Sequence, residues 1–193
     1  MPYNKQDNPM FRHMNRRQLL KAGLLASLVC VAPVPAWARA GLTGPAERSL
    51  SLLNTHTGER LKEVVYWEQG LYLSDALQDI NYVLRDHRTD EIHTIDPKTI
   101  DLMAAISRKV GANSPFEIIS GYRSPQSNQQ LRSMSRGVAK NSYHVQGKAI
   151  DMRLPGVSLK TLRKAALELR MGGVGYYPKS DFVHVDTGKV RTW

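Results

Sequence analysis

Two histidines and an aspartate stand at spacings that suit a metal site. Residues 142–151 read SYHVQGKAID, which places His144 and Asp151 on either side of a glycine. A third candidate, His184, lies in the alternating apolar and polar run 181–186. Two imidazoles and one carboxylate are the usual ligand set of a catalytic zinc ion, whose fourth position is left open for water. The residue types and their spacing therefore predict a Zn²⁺ site formed by His144, Asp151 and His184.

The elements expected around the first two ligands would bring them together. His144 and Asp151 are too far apart in sequence to share one face of a helix, but a turn followed by a strand suits their spacing. Gly147 supplies the turn. Side chains alternate along a strand, so Ala149 and Asp151 point to the same side. The small alanine then leaves room beside the metal.

Three further polar residues are candidates for the chemistry of such a site. Asp181, three residues before His184, is the predicted general base that takes a proton from the attacking water. Arg123 follows the predicted strand 116–120, where a permanent cation would stabilise the oxyanion formed on a scissile carbonyl. Asp186, two residues past His184 and on the same strand face, is predicted to orient a metal ligand.

Each of these residues also has a simpler interpretation. A histidine beside a glycine is often a hydrogen-bonded structural residue, and Asp151 could form a surface ion pair with Arg153. His56 falls in a predicted turn, where a solvated loop residue is favoured over a ligand. His87 and His93 could bind a metal, but they lie in a charged loop without a glycine turn or a buried frame. The surface-loop interpretation is therefore favoured for this pair.

The first forty residues have the layout of an export signal. A basic segment with Arg16 and Arg17 precedes an apolar stretch of about a dozen residues, which is too short to span a bilayer as a stable helix. The small residues of 36–40 offer a cleavage site, and the paired arginines resemble a twin-arginine signal. We predict a signal peptide over 1–40, export through the twin-arginine (Tat) machinery, and a periplasmic domain over 41–193 that keeps no stable membrane anchor. The alternatives are a buried N-terminal helix or an uncleaved anchor.

The charge of the chain disfavours a nucleic-acid partner. The formal net charge is +10, but the first forty residues alone hold six Lys or Arg and one Asp. The remaining excess is moderate and spread along the chain, without the dense basic helix that nucleic-acid binding favours. Such an excess suits adhesion to an anionic polymer. The single cysteine, Cys30, lies in the apolar leader and cannot form a disulfide within the domain.

Short strands and separate helices predict an α+β domain. Asp96 followed by Pro97 marks a helix start, Gly111 ends that helix, and Ser158 is the predicted cap of the last helix. The first helix is expected to be capped by Ser74 or Asp75. The predicted strands cover 48–54, 60–67, 116–120 and, as the last strand, 182–185. The predicted helices cover 76–86, 97–110, 125–134 and 159–171.

The sequence resembles the zinc D-Ala-D-Ala carboxypeptidase/dipeptidase family of metallopeptidases. The signature Ser-x-His-x-x-Gly-x-Ala-x-Asp of that family matches residues 142–151. Asp181 stands where the family has an acidic residue three before its last histidine, and residues 120–124 resemble its strand-end arginine motif. The likeness spans about residues 48–193. Together with the leader, it resembles the periplasmic murein endopeptidase branch of the family.

This resemblance implies a fold, a cofactor and a reaction. The fold would be the hedgehog/DD-peptidase-like α+β fold, with a small antiparallel sheet and flanking helices. Zinc would be bound by His144, Asp151 and His184, and the reaction would be hydrolysis of peptide cross-links between peptidoglycan stem peptides during cell-wall growth. One position departs from the family, which generally has glutamate where this chain has Asp181. A D,D-carboxypeptidase or dipeptidase, and a non-catalytic peptidoglycan-binding module, are the alternative functions.

Overall fold

A mixed eight-stranded sheet forms the centre of the domain in the computed structural model, which describes residues 46–135 and 137–193. The strands are β1 (Glu47–Asn54), β2 (Arg60–Glu68), β3 (Leu71–Tyr72), β4 (Phe116–Ser120), β5 (Ala149–Arg153), β6 (Gly173–Tyr177), β7 (Phe182–Asp186) and β8 (Arg191–Thr192). Their order across the sheet is β3-β2-β1-β4-β5-β7-β6-β8. The pairs β1–β4 and β6–β8 are parallel, and the other neighbours are antiparallel.

Four α-helices and one 3₁₀ turn are inserted between the strands of the described chain. The helices are α1 (Ser74–Val83), α2 (Pro97–Val110), α3 (Pro125–Met134) and α4 (Leu159–Leu169), and the 3₁₀ turn covers Tyr143–Gln146. The predicted α+β class is confirmed. The sheet is larger than the small antiparallel one expected, and β7 is not the last strand. A two-residue strand such as β8 is too short for its alternation to be recognised in a sequence.

The predicted helix boundaries hold where a side chain caps the helix. The side chain of Asp96 accepts from the backbone N–H of Lys98 at 3.0 Å, and Gly111 ends α2 in the left-handed conformation. Ser158 caps α4. The capping prediction for α1 was wrong, because Leu73 is its N-cap and makes no side-chain cap bond. This helix also ends before Asp86, because the Asp86 backbone N–H bonds to Glu91 instead of continuing the helix.

The hydrophobic core lies on one side of β5 and the polar site on the other. Successive side chains of a strand point to opposite faces. Ile150 and Met152 belong to the hydrophobic core, whereas Asp151 belongs to the polar site. Helices α2 and α4 pack against each other and contribute the following buried residues to the core: Ile100, Leu102, Met103, Ile106, Leu162, Ala165 and Ala166. The core thus supports the strand that carries the central carboxylate.

The predicted signal peptide over 1–40 lies outside the described residues. Across 46–135 and 137–193, no helix has both the length and the apolar character needed to cross a membrane.

The 3₁₀ turn is anchored by a close approach at Gly147. This residue has φ +66°, a left-handed conformation that glycine adopts without steric cost. Its carbonyl accepts from the backbone N–H of Asp96 at 2.9 Å. A Cβ atom at this position would collide with the carbonyl oxygen of Thr94. Glycine is therefore required here by both the backbone angle and the lack of space.

We expect Gly147→Ala to destabilise the domain more than Gly111→Ala. Both glycines have φ +66°, but a Cβ at Gly111 meets nothing within 4 Å. The shared backbone strain costs about 1–2 kcal/mol, and overpacking against Thr94 adds about 1–3 kcal/mol at Gly147 only. Urea unfolding of both variants measures the difference. Equal losses of unfolding free energy in the two variants would show that the backbone around Thr94 moves to make room for the added methyl group.

Candidate active site

The three predicted metal ligands converge on one point. His184 Nδ1 lies 2.7 Å from Asp151 Oδ1, His144 Nε2 lies 3.2 Å from the same oxygen, and the two imidazole nitrogens are 3.2 Å apart. All three side chains are buried. Asp151 and His184 are direct cross-strand partners in β5 and β7. The sheet register therefore sets one ligand pair, and the 3₁₀ turn supplies the third ligand.

His144 is oriented by a hydrogen bond on the far side of its ring. Its Nδ1 lies 2.8 Å from the carbonyl oxygen of Gly121, which can only accept, so Nδ1 carries the proton. Nε2 is then left with a lone pair that faces Asp151. The side chain of Ser142 caps the 3₁₀ turn by accepting from the backbone N–H of His144. This arrangement fixes the tautomer that metal binding requires.

His184 is oriented in the same way by Asp186. Its Nε2 lies 3.1 Å from Asp186 Oδ2, so the ring directs Nδ1 towards Asp151. Asp186 is fully buried and also accepts from Arg191 and from the backbone N–H groups of Gly173 and Gly188. Asp186 thus lies beside the ligand that it was predicted to orient.

The pKa values of the two carboxyl groups and of His184 are shifted in opposite directions. Burial by itself would raise the pKa of the Asp151 carboxyl, but the two histidines outweigh it and lower that pKa. Burial would likewise lower the pKa of His184, but its hydrogen bonds to Asp151 and Asp186 and their charges raise it to about 9. For Asp186, the hydrogen bonds from His184 and Arg191 outweigh burial and lower the pKa. The carboxylates are therefore ionised, and a proton on His184 balances them in the metal-free protein.

This donor set fits a zinc ion. Zinc binds histidine nitrogen and carboxylate oxygen at about 2.0–2.2 Å, which places neighbouring donors of a tetrahedral site roughly 3.4 Å apart. The three donor atoms are separated by 2.7–3.2 Å, so small outward movements would admit the ion. The second nitrogen of each imidazole is already bound to an acceptor, as in metal-ligating histidines generally. The chemistry and the spacing of the donors both suit Zn²⁺.

Arg123 lies beside the metal ligands, as its sequence position suggests. Its Nη2 is 3.7 Å from Asp151 Oδ2 and 3.4 Å from Ser120 Oγ. Its Nε is buried and has no hydrogen-bond partner among the described residues. Burial lowers the pKa of the guanidinium, although the neighbouring Asp151 opposes this effect. A largely desolvated guanidinium with unused donor capacity is suited to binding an oxyanion.

Asp181 is not brought to the ligands. Its side chain is 62% exposed and pairs with Arg153 Nη1 at 2.8 Å, beside Glu117, which also pairs with Arg153. It lines a separate depression and not the cavity that contains the three ligands. Asp181 lies in the turn before β7 with φ +56°, and its carboxylate is directed towards Arg153. The placement does not support the predicted role of Asp181 as the general base.

A cavity of about 770 Å³ opens over the ligands and has an aromatic wall. Trp193 contributes to this wall: its ring centroid is 5.2 Å from that of His184, and its Nε1 donates to the hydroxyl of Tyr177 at 2.7 Å. The guanidinium of Arg191 lies over the rings of both Trp193 and Tyr143. The sequence does not reveal this wall, because Trp193 is placed by the short strand β8.

The other histidines of the described chain, His56, His87 and His93, are separate from the three converging ligands. His56 lines the cavity and stacks on His87, with ring centroids 3.7 Å apart. His93 stacks on Tyr122, with ring centroids 4.5 Å apart. The expectation that His56 is merely a solvated turn residue was therefore incomplete, because this exposed ring also faces the ligand cavity.

Comparison with known proteins shows the family of this chain. The profile of the family described as peptidoglycan L,D-endopeptidase MepK matches residues 43–193. The chain belongs to this family. The peptidoglycan L,D-endopeptidase MepK of Escherichia coli K12 is 45% identical to it over 179 residues, which cover 93% of this chain and 97% of that protein. The probable peptidoglycan L,D-endopeptidase MepK of Haemophilus influenzae Rd is 43% identical over 180 residues, with coverage of 93% and 95%.

Membership of the MepK family confirms the predicted relationship to the murein endopeptidases and the predicted endopeptidase class of enzyme. The match over residues 43–193 includes all three converging ligands as well as Arg123 and His56. The site described above is thus contained in the part of the chain that defines the MepK family.

We expect Asp186→Asn to weaken zinc binding by about 10–100-fold, the usual effect of losing a residue that orients a metal-ligating histidine. Asparagine keeps the size of the side chain but removes the charge that supports His184 and Arg191. Competition with a chelating dye measures the affinity. Asp181→Asn is the matched control and should bind zinc as the wild type does. Unchanged affinity in Asp186→Asn would show that Asp186 does not support the ligand.

The stability of the metal-free protein is expected to fall in alkaline solution. The pKa of His184 is about 9 in the folded protein, compared with 6.5 for an unperturbed histidine. Protonation of His184 therefore stabilises the fold fully below pH 6.5, and this contribution is lost as the pH rises through about 9. Urea midpoints of chelator-treated protein measure the effect. In His184→Gln this pH dependence should disappear, and its persistence would assign the effect to another group.

Proposed function

We propose that this chain is a zinc-dependent L,D-endopeptidase that cuts peptide cross-links of peptidoglycan in the periplasm. The single observation that carries the proposal is the convergence of His144, Asp151 and His184 beneath a cavity, in a chain whose relatives are named peptidoglycan L,D-endopeptidases. The leader over 1–40, with its paired arginines and short apolar stretch, supports export through the Tat machinery.

His144, Asp151 and His184 would hold the zinc ion. A zinc ion held by three protein ligands supplies Lewis acidity and lowers the pKa of water towards neutrality. Asp186 and the carbonyl of Gly121 keep the two imidazoles oriented. Arg123 faces the same cavity and would stabilise the negative charge that develops on the scissile carbonyl oxygen.

The cavity suits an acidic peptide. Three arginines, Arg88, Arg123 and Arg191, line its wall. Among the described residues that line it, Asp151 is the only carboxylate, and Asp151 faces the histidines. Cross-linked wall peptides carry free carboxylates, which guanidinium groups bind well. The half-buried ring of Tyr177 and the exposed ring of Trp193, which both line the cavity, would then pack against the peptide chain.

The alternative functions make different products. A D,D-carboxypeptidase or dipeptidase would release a terminal D-amino acid, and a wall-binding module would bind peptidoglycan without cutting it. The names of both relatives favour cleavage within a cross-link. The buried guanidinium of Arg123 next to the ligands favours catalysis over binding alone, because its free Nε has no structural partner among the described residues.

The test is a digest of purified muropeptide dimers. We expect dimers joined by L,D bonds to be converted to monomers, while dimers joined by D,D bonds remain intact. A chelator should stop the reaction, and added zinc should restore it. His144→Ala and His184→Ala should lose metal and at least about 10³-fold in rate, because the ion supplies most of the charge stabilisation. Chromatography with mass detection identifies the products.

A matched carboxylate control accompanies this digest. Asp181→Asn should retain metal and keep its rate within about twofold of the wild type, since surface substitutions away from the site have small effects. Release of single D-amino acids in place of monomers would identify a carboxypeptidase. Binding to peptidoglycan without any product would identify a non-catalytic module.

A further inference from the structure

We propose that His56 is the general base and acid of the reaction, and that it exchanges protons through Nδ1. This inference rests on the proposed hydrolysis and names the residue that moves the proton. It starts from the composition of the cavity wall. Peptide hydrolysis needs a group that accepts a proton from water and returns it to the leaving amine. Asp181 does not line the cavity, and Asp151 faces the two histidine ligands.

His56 has the chemistry that this task requires. Apart from the two ligands, it is the only histidine lining the cavity among the described residues. Histidine is the side chain whose unperturbed pKa lies near neutrality, which favours proton exchange at physiological pH. The hydroxyl of Tyr177, which also lines the cavity, already accepts a hydrogen bond from Trp193.

The turn that carries His56 is built to hold it. The buried side chain of Asn54 accepts from the backbone N–H of His56 at 2.9 Å and of Thr57 at 3.3 Å. Its amide group donates to the carbonyl of Val83 at 2.9 Å. Thr55 ties the same turn to the carbonyl of Ile118 through its backbone N–H and its hydroxyl. A turn histidine with this many backbone restraints is positioned and not merely solvated.

The sheet register brings that turn to the metal ligands. The parallel pair β1–β4 matches Asn54 with Ile118, and the next pair, β4–β5, matches Ser120 with Asp151. His56 follows the end of β1 by two residues, and Ser120 is the end of β4. The C-terminal ends of adjacent parallel strands meet at one edge of a sheet. His56 and Asp151 therefore face the same cavity.

Two contacts set the tautomer and the plane of the ring. His56 Nε2 lies 3.0 Å from the carbonyl oxygen of Ile119, so Nε2 carries the proton and Nδ1 has the lone pair. The ring stacks on His87 with an interplanar angle of 10°. Burial and the neighbouring Arg88 and His56 lower the pKa of His87 to about 4, so His87 is neutral at physiological pH.

The charged and titratable groups around this ring come from three parts of the chain. Arg88 and His87 lie in the segment after α1, and Arg123 follows β4. Glu59, from the turn of His56 itself, pairs with Arg85. No carboxylate among the described residues is hydrogen-bonded to the His56 ring. The ring of His56 is therefore bound to a backbone carbonyl through Nε2, and Nδ1 is the nitrogen left for proton exchange in the cavity that this residue lines.

The proton balance of the proposed step is complete. The oxygen of water bonds to the scissile carbonyl carbon while one of its protons passes to Nδ1 of His56. The carbon–nitrogen bond then breaks, and Nδ1 returns that proton to the leaving amine nitrogen. The second proton of the water is released when the new carboxylic acid ionises. The imidazole ends in its starting state, and no oxidant or reductant is consumed.

The kinetic test compares two matched histidine variants, His56→Ala and His93→Ala. Both side chains are exposed and stack on an aromatic ring, but His93 does not line the cavity. We expect His56→Ala to keep its zinc and to lose about 10²–10⁴-fold in kcat with KM little changed, the usual contribution of a general base. Free imidazole should restore part of the rate. His93→Ala should behave as the wild type does. Wild-type kcat in His56→Ala would overturn the proposal.

A measurement on the metal-free wild type needs no turnover. Long-range ¹H–¹⁵N correlation spectra report which ring nitrogen carries the proton, and we expect the Nε2–H tautomer at His56. Observation of the Nδ1–H tautomer would overturn the proposal.

Failure of the proposed endopeptidase function would be recognised differently, because the wild type would then produce no monomers. If His56→Ala is unstable, His56→Gln takes its place, and normal kcat in that variant would equally overturn the assignment.

Discussion

The site depends on positive charge at the point where Asp151, His144 and His184 meet. Their facing atoms lie within 3.2 Å of one another, and Asp186 adds a second buried carboxylate directly behind His184. Buried charges of one sign are costly unless they are balanced. In the metal-free protein a proton on His184 provides the balance, and a metal ion would replace that proton. Metal binding and the protonation of His184 are therefore coupled, because the ion would take the place of the proton.

The pairing of the sheet strands places two of the ligands opposite each other, and the loops position and orient the third ligand. Strands β5 and β7 place Asp151 opposite His184, and no loop movement is needed to form that pair. The 3₁₀ turn then adds His144, and the Gly121 carbonyl directs its ring. Ligands borne by a packed sheet are held more precisely than ligands on loops, and this precision suits a site that must keep an open coordination position.

The convergence of His144, Asp151 and His184 could be predicted from the sequence because its signals are local. The spacing of His144, Gly147 and Asp151 encodes a turn that enters a strand, and the alternation around His184 encodes another strand. The prediction for Asp181 lacked support from the structure because the hairpin before β7 directs this side chain towards Arg153. Spacing along the chain gives the distance between two residues but not the face on which each emerges.

Other features could not be read from the sequence because they depend on distant contacts. His56 is placed by the pairing of β1 with β4, across more than sixty residues of chain. The aromatic wall depends on Trp193, whose backbone bonds to Val174 and Tyr176 of β6. The early end of α1 follows from contacts of Asp86 with Glu91 and with the backbone of Ser124. Apart from Glu91, which is five residues from Asp86, these partners lie far apart in the sequence.

The short edge strand β8 contributes both to the support of the ligand His184 and to the wall of the cavity. Arg191, its first residue, neutralises Asp186 behind His184 and also lies against the ring of Trp193. Only two residues pair in this strand, and edge strands fray readily. Detachment of β8 from β6 would leave Asp186 without its cation and would remove one side of the cleft in the same event. A small local opening at this edge of the sheet would therefore disturb the support of His184 and the wall of the cavity at once.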